Sequence, residues 1–512
     1  MSRIENTSKN FAFSLLATIV TSITGFISRT VFIKTIGVAY LGANSLFTNI
    51  LSMLSLTELG IGSAIAYSLY APLAKKDIDT VKSLMRFFKN AYRIIALAIL
   101  VIGLALIPFL DHLIKDPGEI QHITFIYLVF LYDTVVSYLF SYKTTLLVAD
   151  QHSYIITNIT TVITIVSLII RMCVLLLFKN YFVYLVMGAV INTAQWYWVN
   201  KRIFRSYPYL KDKNILPLAQ EERKKISTNV KAMVFHKFGE LCINQTDNII
   251  ISSFISIVAV GIYNNYYMLI GIINKFSQSI FGAATASLGN LIATESKQKR
   301  YEVFKRYNFL GFWVFGWTGI CLYELLTPFV KLWLGDAFVI DNLTLSLVML
   351  NYYLVGMRVT IGNVKMAAGL YAQDQWVPIV QAITNLVVSI FAAIHMGLAG
   401  VFLGTVVSGL AVPCWYRPII VYKYTFERSP KEYFVTYAKY FATVMLSLVL
   451  VKVVDIWFVD TVFENVYIAF FAKMVVCTLL PNLIVCLAFF KTDEFKYIMN
   501  LGKSIIKRRK PR

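Results

Sequence analysis

Polar and charged residues recur at helical spacing inside apolar stretches of this sequence. The helix predicted at 40–70 carries Asn44 and Glu58 in one row with a threonine, a leucine and a serine between them. Steps of four and three place the whole row on one face of a helix. A carboxylate inside a lipid-spanning segment is costly unless it faces protein or water. The row therefore predicts a membrane helix whose polar side faces a wet cavity.

Similar rows lie on the first, seventh, eighth and tenth predicted helices. Arginine can grip a phosphate through two parallel hydrogen bonds, and lysine supplies a point charge. Several fixed cations with few acids nearby therefore predict an anionic cargo. The predicted cargo-binding residues are Arg29, Lys275, Arg358, Asn44, Asn264 and Arg171. The residues predicted to couple an ion, or to pair with these charges, are Glu58, Asp247, Glu240 and Lys237.

Purely structural explanations of the same residues compete with these predictions. Small polar residues also join helices together within lipid, and this explanation is favoured for the serines and threonines of the rows. Arg171 lies near a helix end, where a long side chain can instead reach the membrane surface. Lys237 and Glu240 are three residues apart, so they can simply neutralise each other. Neither the histidines nor the cysteines form a cluster with metal-ligand spacing, and we predict no metal site and no cofactor.

The composition determines the class of protein that positions these residues. The chain of 512 residues is 58% hydrophobic and only 15% charged, whereas soluble domains are about a quarter charged. Each crossing needs about 20 apolar residues, which allows about 14 transmembrane helices. The predicted fold is therefore an all-α integral membrane protein. The predicted spans are 11–33, 40–70, 91–110, 121–144, 154–177, 181–200, 228–255, 260–292, 307–330, 342–368, 376–396, 398–422, 434–456 and 464–490.

The net charge of +21 is unevenly distributed. Most of the 48 lysines and arginines lie in the termini and in one alternate set of loops. The other set of loops holds only Lys34, Lys115, Lys179 and Lys331. This asymmetry places both termini in the cytoplasm and argues against nucleic acid as a partner. The basic excess also favours attraction to anionic membrane lipids.

An internal repeat organises the predicted helices. Offsets of 219 to 224 residues align Gly42 with Gly261 and Asp150 with Asp374. A basic linker separates two sets of six helices that enter the membrane in the same direction, as in parallel-repeat transporters. The predicted segments are an N-terminal lobe at 1–205, a C-terminal lobe at 206–425, and two further helices with a basic tail at 426–512. Because the polar rows lie on the opening helices of both halves, we expect the cavity between the lobes.

Several short motifs carry a family resemblance along nearly the whole chain. They are Arg29 followed by the turn at 37–42, the runs at 58–62 and 70–74, the Asp247-Asn248 pair before 260–263, and Ala367-Ala368-Gly369 with Trp376, Pro378 and Asn385. With these motifs the sequence resembles the Wzx-type repeat-unit flippases. They are the polysaccharide-transport family of the multidrug/oligosaccharidyl-lipid/polysaccharide exporter superfamily, which includes the MATE transporters.

The resemblance implies both a fold and a function. The implied fold is V-shaped and MATE-like, with two six-helix lobes and two C-terminal helices. The implied function is the export of an undecaprenyl-diphosphate-linked oligosaccharide by alternating access across the bacterial cytoplasmic membrane, for capsule, O-antigen or another surface polysaccharide. Polysaccharide polymerase and glycosyltransferases are the expected partners. H⁺, Na⁺ and the membrane potential are the candidate driving forces.

Three alternatives stay open. A related flippase would carry lipid II or a teichoic-acid precursor instead. A MATE-type drug/cation antiporter should favour an acidic cavity, which the central cations argue against. A membrane enzyme would need a sizeable loop or domain outside the bilayer, and the sequence offers none, so we predict a transporter.

Overall fold

The computed structural model describes residues 3–508 with internal gaps. The gaps are residues 56–57, 118–119, 151, 213–214, 216, 219, 221–222, 225 and 227–244. Side chains of residues 3–18, 58–66, 153–155 and 504–508, among others, also lie outside the description. The described residues are helical throughout, without strands. They form two compact units, Met1–Gly261 and Ile262–Arg512.

The described part of the first unit contains helices α1 to α9. Their bounds are Arg3–Ile36, Val38–Leu54, Glu58–Lys75, Ile78–Ala105, Leu110–Leu113, Ile123–Ser141, Thr144–Ala149, Ser153–Phe178 and Tyr181–Ser206. Short 3₁₀ turns at Ile107–Phe109 and Pro208–Lys211 and a π-helical turn at Ile251–Ile255 complete it.

Helix α10, Ile257–Thr294, begins in the first unit and continues into the second. Helices α11 to α19 follow it in the second unit. Their bounds are Lys297–Leu334, Asn342–Ala367, Val377–Met396, Leu398–Ala411, Pro413–Val421, Lys431–Val454, Asp460–Val462, Val466–Phe489 and Asp493–Arg508. The connecting turns are 3₁₀ at Asp336–Phe338 and Ala372–Asp374, and π-helical at Tyr422–Phe426 and Asp455–Val459.

The helices agree with an integral membrane protein. In the described part of the chain, 11 helices are long and apolar enough to cross a membrane. The second predicted span is divided into α2 and α3, and α9 stands in the place of the sixth. Most of the seventh predicted span lies outside the described residues. The predicted lobe boundaries near it therefore stay a prediction.

The core of the first unit forms around aromatic residues of α2, α4 and α6. The rings of Phe47 and Tyr127 meet edge to face, with centroids 5.4 Å apart. The hydroxyl of Tyr127 donates to the carbonyl oxygen of Gly103 at 2.9 Å. Because this hydroxyl is buried, the hydrogen bond offsets the cost of its lost hydration.

Two glycines that the repeat aligns meet in the first unit. A Cβ added at Gly42 would overlap the carbonyl oxygen of Ile257, and one added at Gly261 would overlap that of Val38. Small residues allow two helix backbones to approach this closely. The start of α2 and the start of α10 therefore cross at a reciprocal glycine contact.

The second unit has its own aromatic core, in which α16 and α18 pack against α11. Phe312 of α11 and Tyr440 of α16 stack with centroids 4.2 Å apart. The last helix, α19, docks on the same core, because Phe495 stacks on Trp313 at 5.6 Å. The ion pair between Lys305 and a glutamate of α19 reinforces this contact at 2.8 Å.

Candidate functional site in the first unit

Helix α9 begins at a well-defined turn, which places two tyrosines on one face. Lys179 ends α8 in the left-handed backbone region. The side chain of Asn180 accepts hydrogen bonds from the backbone N–H groups of Phe182 and Val183, at 2.8 and 3.3 Å. This N-cap satisfies donors that the helix itself leaves unpaired. Tyr181 and the tyrosine three residues later then project to the same side of α9.

Tyr181 lies at the centre of an aromatic group. Its ring centroid is 4.5 Å from that of Tyr40 and 6.2 Å from that of Tyr184, on which it stacks. Its hydroxyl donates a hydrogen bond to the side-chain oxygen of Asn44 on α2. The arrangement offers ring faces beside phenol and amide groups, which together suit a polyhydroxylated ligand.

Two predicted arginines face Tyr184. The guanidinium of Arg171 on α8 lies over the ring of Tyr184, 5.4 Å from its centroid. Gly188 makes room for it, since a Cβ there would come within 2.5 Å of the guanidinium carbon. Arg29 on α1 is partly buried and is an electrostatic neighbour of Tyr184. The structure thus brings three predicted residues together, and we call Arg29, Asn44, Arg171, Tyr181 and Tyr184 the tyrosine–arginine cluster.

Among the described residues, Asp133 on α6 is an acidic neighbour of the cluster. Asn192 donates a hydrogen bond to one oxygen of this carboxylate at 3.0 Å. Its other oxygen has no hydrogen-bond partner among the described residues, although Arg171 lies within electrostatic reach. Arg29 adds a second positive charge to the cluster. The described residues of the cluster and Asp133 are therefore net positive, as an anion site requires.

A polar pocket of about 600 Å³ adjoins the cluster and shares Tyr181 with it. Its lining includes Thr35, Tyr40, Gln121, Lys179, Asn180 and Tyr181. The backbone N–H of Gln121 donates to the hydroxyl of Tyr40 at 3.2 Å, which fixes one wall. This pocket supplies one more cation, Lys179, and several neutral hydrogen-bonding groups.

An apolar groove of about 730 Å³ runs between α6 and α9. Its lining includes Phe125, Leu128, Val186, Ala189, Val190 and Ala194. Phe125 of the groove and Phe182 of the polar pocket meet with ring centroids 5.8 Å apart. The polar pocket and the apolar groove are therefore neighbours within the first unit.

The predicted residues of the second unit have different surroundings. Arg358 is only 9% exposed, and its guanidinium donates to the carbonyl oxygen of Gly409 at 3.2 Å. This position favours a role in holding α12 against α14. Asn264 is also buried, whereas the side chain of Lys275 is exposed. Contact of these three residues with a cargo stays a prediction.

The predicted ion-coupling residues are less well covered. Lys237, Glu240 and the side chain of Glu58 lie outside the described residues. Asp247 is partly buried in the helical turn at 245–250. An ion-coupling role for these four residues therefore stays a prediction.

Sequence reasoning missed the tyrosines and the pocket beside them. Tyr181 and Tyr184 lie in an apolar stretch where aromatic residues are common, so no charge pattern marks them. The available signal was local: Asn180 is a good N-cap, and it fixes which face of the following helix the two tyrosines share.

Solved structures share this helical fold at low sequence identity. Lipid II flippase MurJ in an inward closed conformation aligns with a TM-score of 0.64 at 15% identity, covering 94% of this chain and 99% of that one. An inward-facing multidrug resistance MATE family transporter of the MOP superfamily aligns with 0.56 at 12%, covering 77% and 93%. The bent form of the Vibrio cholerae MATE transporter VcmN aligns with 0.53 at 12%, covering 81% and 95%. The chain is therefore a multi-pass, all-helical membrane protein of the MurJ/MATE-like fold, as predicted.

The sequence comparison is more specific. Residues 7–286, more than half of the chain, match the family described as polysaccharide biosynthesis protein. The chain belongs to this family, which confirms the resemblance drawn from its motifs. No match is found among curated proteins.

Proposed function

We propose that this protein is a flippase for an undecaprenyl-diphosphate-linked oligosaccharide repeat unit. It would move this cargo across the bacterial cytoplasmic membrane by alternating access, for capsule, O-antigen or another surface polysaccharide. One observation carries the proposal beyond family membership. The tyrosine–arginine cluster shares Tyr181 with a polar pocket, and this pocket adjoins an apolar groove in the same unit.

The polar side of this site suits the head of the cargo. Sugar rings present apolar C–H faces that pack on aromatic rings, and their hydroxyls need donors and acceptors such as Asn44 and Tyr181. A diphosphate leaving water needs compensating cations, because an unpaired buried charge is very costly. Arg29 and Arg171 supply them, and a guanidinium can bind phosphate through two parallel hydrogen bonds.

The groove suits the lipid part of the same cargo. Val190 is 57% exposed along the groove, and the small side chains of Ala189 and Ala194 leave space between its larger lining residues. Each methylene that leaves water gains about 0.8 kcal/mol, and a chain within the bilayer still benefits from close packing with the groove. A polyprenyl chain can therefore stay in an apolar setting while its head enters the polar pocket.

The head-group assignment is tested by charge removal in a strain that lacks its own flippase. Arg171→Ala and Arg29→Ala should each lower surface polysaccharide at least about tenfold at equal membrane level. The reason is that a hydrogen bond to a charged group contributes about 1.5–3 kcal/mol, and 1.4 kcal/mol is a factor of ten. Lys331→Ala is the matched control, since that lysine is exposed and paired with Asp336. Full export by both arginine variants would refute the assignment.

The groove assignment needs a separate test. Val190→Trp should fill the groove and reduce photo-crosslinking of a polyprenyl diphosphate probe to the purified protein. Val449→Trp provides the control, because Val449 is similarly exposed, at 54%, on α16 of the second unit. Equal crosslinking of both variants would show that the lipid lies elsewhere.

The alternative cargoes are separated by complementation. Rescue of a strain lacking the lipid II flippase, or the flippase of a teichoic-acid precursor, would replace the proposed substrate by that one. Transport of a cationic drug would favour a MATE-type antiporter, but a net-positive cluster disfavours such a cargo. We propose a transporter without enzymatic activity, with both termini in the cytoplasm and driven by H⁺, Na⁺ or the membrane potential. Polysaccharide polymerase and glycosyltransferases are its proposed partners.

A further inference from the structure

Five ionisable side chains gather at one place in the second unit, away from the residues assigned above. Three helical segments contribute to this group: α11, the stretch from α16 to α17, and the start of α18. Its members, the carboxyl cluster, are Glu324, Lys452, Asp455, Asp460 and Lys473. All of them belong to helices long and apolar enough to cross a membrane.

Both lysines of the carboxyl cluster have partners other than the two inner acids. Lys473 pairs with the exposed carboxylate of Asp460 at 2.9 Å. Lys452 donates to the hydroxyl of Tyr323 at 3.2 Å and lies 4.7 Å from the centre of its ring. Neither ammonium group donates directly to Asp455 or Glu324.

Asp455 is the exceptional member. It is 2% exposed, and neither of its carboxylate oxygens has a hydrogen-bond partner among the described residues. It opens the π-helical turn Asp455–Val459, a local irregularity that often marks functional positions. The adjoining wall is the apolar core of Val451, Cys477 and Ile320. A bare carboxylate in such a place would cost several kcal/mol.

Glu324, on α11, has surroundings similar to those of Asp455. One of its carboxylate oxygens is buried without a hydrogen-bond partner in the described structure. It lies within electrostatic reach of Asp455. Among the described residues, Cys321 of α11 and Cys477 of α18 also face this pair, and Tyr323 of α11 lies beside Lys452.

We propose that Asp455 and Glu324 form a proton-binding site in which one of the two buried carboxyls carries a proton. The charge balance supports this, because the three acids of the cluster exceed its two lysines by one negative charge. A single bound proton makes the group neutral and removes the repulsion between the two buried carboxylates. Membrane-embedded acids of this kind commonly relay protons. The site concerns the proton alone and does not depend on which cargo the protein carries.

Infrared difference spectroscopy on the purified full-length protein tests the proposal directly. A protonated carboxyl in apolar surroundings has a carbonyl stretch distinct from that of a carboxylate. We expect this band to persist at a pH where exposed acids, which deprotonate near about pH 4, are already ionised, and to be lost on raising the pH further. In Asp455→Asn or Glu324→Gln the band should disappear, or its midpoint should move by at least about one pH unit. Asp336→Asn, which removes an exposed acid, should leave the band unchanged.

Three outcomes would overturn the proposal. One is a wild-type spectrum without a carboxyl band that titrates above about pH 5. Another is a band that both variants retain with an unchanged midpoint. The third is a band that sodium chloride abolishes but potassium chloride does not, since the site would then take sodium in place of the proton. The first and third need only the wild-type protein, so they hold even where a variant fails to fold.

Discussion

Gly261→Ala should destabilise the first unit, whereas Gly271→Ala on the same helix should not. The Cβ of an alanine at position 261 would overlap the carbonyl oxygen of Val38 and come within 2.7 Å of its Cγ2 atom. It would also lie 3.2 Å from the backbone nitrogen of Gly42. At Gly271 an added Cβ meets nothing within 4 Å. The two substitutions therefore share their chemistry and differ only in helix contact.

The expected magnitude follows from two opposing effects. Replacing glycine by alanine inside a helix gains about 1 kcal/mol in propensity at either position. At Gly261 the overlap involves backbone atoms, which cannot move without displacing the first turn of α2. Overpacking of this kind costs about 1–3 kcal/mol or more. Gly271→Ala should therefore be neutral or slightly stabilising, and Gly261→Ala net destabilising by up to about 2 kcal/mol.

Thermal unfolding of the purified protein in one detergent measures the difference. At roughly 2 °C per kcal/mol for a unit of this size, Gly261→Ala should melt up to about 6 °C below Gly271→Ala. The reciprocal variant, Gly42→Ala, should behave like Gly261→Ala, because its Cβ would meet the carbonyl oxygen of Ile257. Equal melting temperatures for Gly261→Ala and Gly271→Ala would refute the close helix crossing.

Three further predictions concern single polar contacts. Asp374→Asn should cost about 3–5 kcal/mol of unfolding free energy in a denaturant titration, because it removes the buried carboxylate that pairs with Lys365 at 2.5 Å and lies 3.6 Å from Nε of Arg417. Asn180→Ala and Asn465→Ala each remove an N-cap worth about 1 kcal/mol. Only Asn180→Ala should also weaken cargo binding, because Asn180 lines the polar pocket. Equal losses of binding in the two variants would show that the Asn180 cap does not support the polar pocket. Burial alone would raise the pKa of Glu494. Its ion pair with Lys305 of α11 outweighs the effect of burial and holds the pKa below its usual range. Proteolysis of α19 should therefore increase as the pH falls below about 4, and Glu494→Gln should show that sensitivity already at neutral pH.

The fold was largely predictable from the sequence, because lipid forces the backbone into helices of defined apolar length. Two features escaped prediction. Helix α2 ends at Leu54, although the predicted span continues to residue 70. The basic tail contains α19, whose docking depends on Phe495 reaching Trp313. Such a contact between distant parts of the chain leaves no mark in local composition.

The site was predictable only in part. The cost of polar groups inside membrane spans predicts Arg29, Asn44 and Arg171, and the structure gathers them around Tyr181 and Tyr184. The same cost predicts Arg358, whose guanidinium donates to the carbonyl oxygen of Gly409; its contact with a cargo stays a prediction. The cost of burial identifies residues that need a partner. Whether the partner is protein or cargo depends on tertiary packing, which the spacing alone does not contain.

The internal repeat identifies residues whose partner is protein. Its aligned residues turn out to be structural: Gly42 and Gly261 meet at a helix crossing, and the aligned aspartates each anchor a neighbouring segment. Asp150 accepts from the hydroxyl of Tyr207 at 2.6 Å, and its counterpart accepts from a lysine at 2.5 Å. The residues that both halves share at these positions therefore build the scaffold.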